Sequence, residues 1–287
     1  MPLNRTKKDK GFLFSLLGFG IITAVWWLLA ATTFKQNGVI PSPPETLKLI
    51  GREMRKDTFF KAVSRTLVQA FVSFVISFGA AAILALAAHY KKFIGNIINP
   101  FIVLFRAMPT MALVLILLLT VGSNLLPAVV AFLVVFPLCY ENMRAAISEV
   151  DQNLVRMARI FKVPRARQLT GIYLPAMLPY VFSSLIAGFG LNIKVVISAE
   201  VMGLPSMSIG YLMLAAKQSF DFGLTFAWLV IAVLLSLLCE TILRIVKRLC
   251  MPYRYPDWKI VKTGFNKIFK KRSNIPVSEG SAPNDCI

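Results

Sequence analysis

Three polar side chains interrupt a long apolar stretch in the second half of the chain. They are Asn192, Lys194 and Glu200, in the segment GLNIKVVISAEVMG. A charged group on a membrane-spanning helix costs roughly 2.5–3.5 kcal/mol at the bilayer centre, so these side chains should face protein or a water-filled path. Lys194 would then help an anion to pass, or it pairs with an acid and only holds helices together. Glu200 follows Lys194 by six positions, which turns the two side chains away from each other on one helix.

A second group of candidates lies in the basic segment from Asp151 to Tyr180, between two apolar stretches. Apolar residues recur there at helical spacing and basic residues supply a charged face: Leu154, Met157, Ala158, Ile160 and Phe161, with Arg156, Arg159, Lys162, Arg165 and Arg167. This pattern predicts a short amphipathic helix at the membrane surface, which Pro164 ends. Adhesion to anionic lipid headgroups is one role for such a helix, and docking to a protein partner is the other.

The composition indicates an integral membrane protein. The chain has 287 residues, 57% of them hydrophobic, and its mean hydropathy of +0.69 is too apolar for a soluble domain. The formal net charge is +19, but the basic residues lie between apolar stretches and in the tails, so no nucleic-acid partner is expected. The four cysteines show no paired spacing, which indicates neither a disulfide framework nor a metal site.

The apolar stretches predict an all-α, polytopic membrane protein with about six transmembrane helices. The predicted spans are residues 11–34, 62–88, 98–121, 126–146, 180–201 and 224–245. The first is longer than the ~7–15 apolar residues of a signal-peptide core, so we expect an uncleaved first helix. Small residues crowd the second span, which predicts close packing against neighbouring helices. Arg106, near the start of the third span, is expected to snorkel to the cytoplasmic headgroups.

Basic residues set the expected orientation. They cluster at residues 5–10, at Lys91 and Lys92, in residues 151–167 and after Arg244. The positive-inside rule places these segments, and therefore both termini, in the cytoplasm. We accordingly divide the chain into a basic cytoplasmic N-terminus (1–10), a transmembrane domain (11–248) and a basic, polar cytoplasmic tail (249–287).

Two short pieces are expected on the outer side of the membrane. Between the first two spans, the prolines of Pro41-Ser42-Pro43-Pro44 precede a stretch of helical periodicity. Between the last two spans, residues 201–223 are apolar but broken by glycine and proline, which predicts a short re-entrant or surface-lying piece.

The sequence lacks the motifs that would make this chain an enzyme. It has no G-x-x-x-x-G-K-[ST] loop to hold nucleotide phosphates, and its single histidine, His89, excludes the two-histidine zinc motif H-E-x-x-H. We therefore expect no cofactor or metal on this chain, and energy for any active process must come from another protein.

The residues Ala158, Ile172, Leu174 and Pro175 follow one another at a spacing that resembles the EAA loop of binding-protein-dependent ABC transporter permeases. The pattern of that loop is Glu-Ala-Ala, three residues, Gly, nine residues, Ile, any residue, Leu-Pro. Here Arg156, Met157 and Lys162 stand at the positions of the Glu, the first Ala and the Gly. In the family this loop, residues 151–175 here, is the cytoplasmic coupling helix that docks into a groove of a separate ATP-hydrolysing subunit.

Further stretches occur in the order typical of the nitrate, sulfonate and taurine branch of these permeases: Ile40-Pro41-Ser42-Pro43, Ser64-Arg65-Thr66-Leu67, Arg106-Ala107-Met108-Pro109, Ala199-Glu200 and Gly210-Tyr211-Leu212. The resemblance implies a type I importer permease in a bacterial-type cytoplasmic (inner) membrane. A pair of ABC ATPase subunits would bind ATP and Mg²⁺ and drive alternating access, and an extracytoplasmic solute-binding protein would deliver a small, anionic solute. One coupling loop per chain and a two-fold symmetric ATPase pair imply a homodimer. Glu200 would lie at the outer end of the pathway, as a structural or gating residue.

Three alternatives remain open at this point. Similar permeases of the same branch handle thiamine-precursor pyrimidines, so the solute could be of that kind. A secondary transporter would show internal repeats and paired interrupted helices, which we do not find in the sequence. A membrane-embedded enzyme would need clustered acids or histidines in the spans, which the sequence also lacks.

Overall fold

The computed structural model describes residues 5–32 and 41–250, and every regular element within them is helical. The elements are α1 (Arg5–Thr32), α2 (Pro43–Glu53), α3 (Asp57–Tyr90), α4 (Lys92–Ala107), α5 (Thr110–Val121), α6 (Leu126–Ser148), α7 (Gln152–Ile160), α8 (Arg165–Gln168), a π-helical turn (Leu169–Tyr173), α9 (Leu174–Gly203), α10 (Ile209–Gln218) and α11 (Phe222–Cys250). The prediction of an all-α protein is confirmed. Ile40 and the part of the predicted tail after residue 250 lie outside the described residues.

Four helical segments are long and apolar enough to cross a membrane: α3, α6, the run Ala166–Gly203 that ends with α9, and α11. They correspond to the second, fourth, fifth and sixth predicted spans. α4 and α5 together make a fifth candidate, with a bend of 102° between them. The first predicted span falls on α1, whose Gly20–Ala31 part is apolar and helical, and that this helix crosses the membrane stays a prediction. The described residues therefore form a multi-pass membrane protein with four or five such spans, which correspond to the second to sixth of the six predicted ones.

The prediction of one continuous helix for residues 98–121 is wrong. The chain is helical to Ala107, extended at Met108 and Pro109, and helical again from Thr110. Met108 has φ −71° and ψ 128°, which is the extended conformation that a following proline favours. Pro109 has no N–H to continue the helical hydrogen bonds. Arg106 consequently lies at the end of a helix, beside a sharp bend.

α3, α6 and α9 pack against one another at the centre of a compact unit that ends at Arg244. Four alanines of α3 are completely buried and allow this close approach: Ala62, Ala70, Ala81 and Ala85. Larger side chains such as Trp228 and Phe74 fill the spaces on either side of them. The prediction that the small residues of this span serve helix packing is confirmed. The last residues of α11, from Ile245, belong to a second unit.

The two short pieces between spans are also helices. At the start of α2, the backbone N–H of Ser42 donates to the carboxylate of Glu45 at 2.9 Å, and this bond holds the pKa of Glu45 below its ordinary value. The hydroxyl of Ser208 caps α10 by accepting the backbone N–H of the third residue of that helix at 3.2 Å. The indole N–H of Trp26 on α1 donates to the carbonyl of Pro41 at 3.2 Å, which fixes the chain at the entry to α2.

Candidate functional site

The predicted amphipathic helix of the basic segment is present as α7. The carboxylate of Asp151 caps it by accepting the backbone N–H of Asn153 at 2.8 Å. Val155 and Ala158 are buried, at 5% and 7% exposure. The large apolar side chains on the rest of α7 and at its C-terminal end are half or more exposed: Leu154, Met157, Ile160 and Phe161. We call these four side chains the α7 apolar face, because they offer an apolar surface to a partner outside the chain.

The apolar positions of the predicted helix include Ala158 together with Met157 and Phe161, and the structure separates them. Ala158 is buried within the chain, whereas Met157 is 54% and Phe161 75% exposed. Arg156 and Lys162 are exposed beside them. Of these three apolar side chains, Met157 and Phe161 are therefore the two that a partner can reach.

α7 ends in a turn that lysine adopts only with strain. Lys162 has φ +52°, in the left-handed region where glycine is favoured. The turn is closed by the N–H of Val163, which donates to the carbonyl of Ala158 at 2.9 Å. The side-chain amide of Gln168 then donates to the carbonyl of Val163 at 2.8 Å and joins the turn to α8. Lys162 thus stands where the resembling pattern has glycine and adopts the backbone conformation that glycine prefers.

The other predicted residues of the segment connect it to the membrane domain. Ile172 lies half-buried in the π-helical turn, and Pro175 is half-buried in the first turn of α9. Leu174 between them is 54% exposed. The rings of His89, at the end of α3, and Tyr173 are 5.7 Å apart, so the π-helical turn rests against α3. The segment is therefore attached to the helical core at its C-terminal end.

Asn192 is completely buried and ties α9 to α3. Its side-chain N–H donates to the carbonyl of Ala70 at 2.7 Å, and its oxygen accepts from the hydroxyl of Ser73 at 3.2 Å. Both ends of the amide are used within the chain, so Asn192 faces protein and holds two helices together.

Glu200 is also completely buried, and it joins three helices. The hydroxyl of Thr66 on α3 lies 2.9 and 3.0 Å from the two carboxylate oxygens, and the N–H of Gly210 donates to the carboxylate at 3.1 Å. Thr66 in turn accepts the N–H of Ile209 at 3.2 Å. The carboxylate therefore lies at the N-terminus of α10, where the helix dipole stabilises negative charge. A Cβ at Gly210 would lie 2.5 Å from the backbone nitrogen of Val201, so only glycine allows this approach.

The link between α9 and α10 contains two further residues in the left-handed region. They are Leu204, with φ +53°, and Met207, with φ +57°. Each such residue costs on the order of 1–3 kcal/mol and persists only where the surroundings hold it. The Glu200 carboxylate on one side and the bond from the Ser208 hydroxyl to the Pro205 carbonyl, at 3.1 Å, hold this link.

Lys194 has a different environment from Asn192 and Glu200. It is exposed on α9 and makes no ion pair within the part of the chain that the structure describes. Ser183, Ala187 and Ser198 are exposed on the same face of the helix. We call Ser183, Ala187, Lys194 and Ser198 the α9 stripe. The three predicted pathway residues thus do not converge on one site, and Lys194 alone is open to the surroundings of the chain.

A polar cluster between α4 and α6 was not predicted. Arg106 forms an ion pair with Glu141, and Arg144 donates to the side-chain oxygen of Asn99 at 3.2 Å. The expected snorkelling of Arg106 did not include this partner. The available signal was the pair of charges in CYENMR, within the apolar fourth span. Elsewhere among residues 5–32 and 41–250, no group of three or more His, Cys, Asp or Glu side chains is placed to hold a metal ion.

The chain matches one protein-family model, described as the binding-protein-dependent transport system inner membrane component, over residues 73–250. This range contains both the α7 apolar face and the α9 stripe. It also contains most of α3, against which α9 packs.

Individual relatives are similar over most of their length. The aliphatic sulfonates transport permease protein SsuC of Bacillus subtilis is 24% identical over 253 residues, which cover 86% of this chain and 90% of the relative. The taurine transport system permease protein TauC of Escherichia coli is 20% identical over 239 residues, covering 81% and 86%. Among solved structures, a chain of a bacterial alginate ABC transporter in complex with its alginate-bound periplasmic protein gives a TM-score of 0.58 at 16% identity, covering 86% and 97%. At that identity the likeness is one of fold.

Proposed function

The chain belongs to the family of inner membrane components of binding-protein-dependent transport systems, and we propose that it carries a small anion of the nitrate, taurine or sulfonate kind. It is a permease subunit of an ABC importer. The relatives named for sulfonate and taurine transport support this class of solute.

The observation that carries the proposal is the exposure of Lys194 in a membrane-spanning helix. A lysine facing lipid at the bilayer centre would cost roughly 2.5–3.5 kcal/mol. The neighbours of Lys194 on the α9 stripe are small or polar, which suits a water-filled path or a protein interface better than lipid. A path with a positive charge and no acid beside it attracts anions.

Two copies of the chain enclose this path in our proposal. The α9 stripe forms only one wall of the proposed path, because in a single chain the opposite side of the stripe is uncovered. A second copy related by two-fold symmetry would face the same stripe and bury both. Each copy contributes one basic segment, which matches the two subunits of an ATPase pair.

The α7 apolar face is the proposed docking surface for the ATPase subunit. Apolar side chains on a short basic helix would otherwise lie against water or lipid headgroups. ATP and Mg²⁺ belong to this partner, since the chain has no phosphate-binding loop. The positive-inside rule then places α7 and both termini in the cytoplasm, and an extracytoplasmic solute-binding protein delivers the solute to the other side.

The test is the substitution Lys194→Met in the importer, reconstituted with its ATPase and binding protein in proteoliposomes. ATP-driven uptake of labelled taurine, nitrate or an alkanesulfonate should fall by about tenfold or more, the effect of about 1.4 kcal/mol in the transport step. Lys194→Arg keeps the charge and should retain most of the uptake.

The matched control is Lys217→Met, which removes an exposed lysine of α10 and should leave uptake unchanged. Assembly and basal ATP hydrolysis of Lys194→Met should also stay normal. Full uptake by Lys194→Met would show that the charge has no part in passing the solute.

A further inference from the structure

A cavity of about 460 Å³ lies between α4 and α6 at the polar cluster described above, and none of its lining residues belongs to the α7 apolar face or the α9 stripe. Asn99 of α4 and Tyr140, Glu141, Arg144 and Ser148 of α6 line it. Such a volume is within the range of small-ligand sites in proteins. We call it the α4–α6 cavity.

The cavity carries an excess of positive charge. The carboxylate of Glu141 is already paired with Arg106. Arg144 is exposed, and no carboxylate of the described residues is within ion-pair distance of its guanidinium. One guanidinium nitrogen donates to Asn99 at 3.2 Å, and the group lies 6.0 Å from the centre of the Tyr140 ring. Arg144 is therefore held in place by neutral groups and keeps most of its donors for a ligand.

A second observation points to the same ligand. Tyr140 is 1% exposed, and its hydroxyl has no hydrogen-bond partner among the described residues. Buried polar groups in proteins nearly always have a partner, so an unpaired hydroxyl beside a cavity indicates that the partner comes from outside the chain. A group that accepts hydrogen bonds would serve both Tyr140 and Arg144.

We propose that the α4–α6 cavity binds an oxyanion. Planar guanidinium groups bind phosphate, sulfonate and carboxylate oxygens through paired hydrogen bonds, and a phenolic hydroxyl adds a further donor. The phosphate of a lipid headgroup and a free anion in solution share this chemistry. The inference goes beyond the proposed function, because oxyanion binding here does not require the transported solute to be an anion.

The experiment measures two probes on the full-length chain in lipid nanodiscs. Labelled sulfate is titrated in nanodiscs of phosphatidylcholine alone. Retention of phosphatidylglycerol is measured by native mass spectrometry in mixed nanodiscs. We expect saturable binding of at least one probe, and Arg144→Gln should weaken it by about tenfold or more. Tyr140→Phe, which removes only the hydroxyl, should weaken it by a smaller factor.

Arg159→Gln is the matched control, since it removes an exposed arginine of α7 and should change neither measurement. Neither measurement requires transport or the ATPase, so a failure of this site is distinguishable from a failure of the transport proposal, which is tested by ATP-driven uptake. Loss of sulfate binding in Arg144→Gln identifies a free anion as the ligand, and loss of phosphatidylglycerol retention identifies a headgroup. The proposal is overturned if wild-type protein binds neither probe, or if a correctly folded Arg144→Gln binds as wild type does. It is likewise overturned if Arg144→Gln dissociates a dimer that binds neither probe, since Arg144 would then pair with a second copy.

Discussion

At the scale of single residues, Lys162 shows a local conflict between sequence and backbone. Its φ of +52° costs an L-residue about 1–2 kcal/mol relative to glycine. We predict that Lys162→Gly stabilises the protein, because it relieves this strain. The net gain is at most about 1 kcal/mol, since glycine also raises the entropy of the unfolded chain. Thermal unfolding in detergent measures the change.

Arg159→Gly is the control for this prediction. Arg159 lies in the last turn of α7 in ordinary helical conformation, where glycine should destabilise by about 0.5–1 kcal/mol. A loss of stability in Lys162→Gly as large as that in Arg159→Gly would show that the left-handed turn carries no strain.

Thr66 is a second residue at which a single group can be tested, because the contribution of its hydroxyl to stability can be measured directly. Thr66→Val keeps the shape of the side chain but leaves the Glu200 carboxylate and the Ile209 N–H without this partner. Leaving buried polar groups unpaired should lower the free energy of unfolding by roughly 1–3 kcal/mol. Thr120→Val is the control, because the exposed hydroxyl of Thr120 bonds only to its own helix and its loss should have little effect. Equal stability of the two variants would show that the Thr66–Glu200 contact does not help to hold α10 in place.

At the scale of elements, the α7 apolar face predicts how the ATPase subunit is retained. Phe161→Ala should weaken docking, because burying a large apolar side chain contributes roughly 1.5–3 kcal/mol, or about tenfold or more in affinity. Co-purification of the ATPase at matched membrane expression measures it, with Leu119→Ala, an 88% exposed apolar residue of α5, as the control. Phe161→Ala is a more specific test than a charged substitution such as Ala158→Asp. Ala158 is buried, so a charge there would also destabilise the fold of the chain itself. If Phe161→Ala lowers lipid binding but retains the ATPase, α7 serves membrane adhesion instead.

The sequence predicted most of the helices. It did not predict which side of α7 is buried, or that the chain bends between α4 and α5. Helical periodicity identified α7, yet apolar residues occur on both its buried and its exposed side, so periodicity alone did not tell Ala158 from Met157. Prolines were visible in several spans, and Pro100, Pro137 and Pro179 all lie within helices. Pro109, in contrast, separates two helices. The presence of a proline in the sequence does not by itself show whether the helix continues through it or ends there.

The polar contacts of α9 could not be predicted from the sequence, for a different reason. Asn192, Lys194 and Glu200 were correctly identified as polar residues in an apolar helix. The partners of Asn192 and Glu200 on α3, Ser73 and Thr66, are more than a hundred positions away in the chain. The packing of α3, α6 and α10 around α9 decides that Asn192 and Glu200 are buried and that Lys194 is exposed.

At the scale of the whole molecule, the basic segments predict the orientation in the membrane. In a variant without the native cysteines, single cysteines at Lys92 and Arg159 should react with an impermeant thiol reagent only from the cytoplasmic side. A cysteine at Lys217, at the end of α10, should react only from outside. Labelling of the Arg159 position from outside would place α7 on the wrong side of the membrane for an ATPase and contradict the proposed coupling.

The proposal that this permease subunit imports a small anion at the expense of ATP has one direct measurement. Proteoliposomes that contain the chain with its ATPase pair are supplied with the binding protein and with labelled nitrate, taurine or an alkanesulfonate. We predict accumulation of at least one of these anions that requires both ATP hydrolysis and the binding protein. Uptake that follows an ion gradient and is indifferent to ATP, or no uptake of any of these anions by an actively hydrolysing complex, would contradict it.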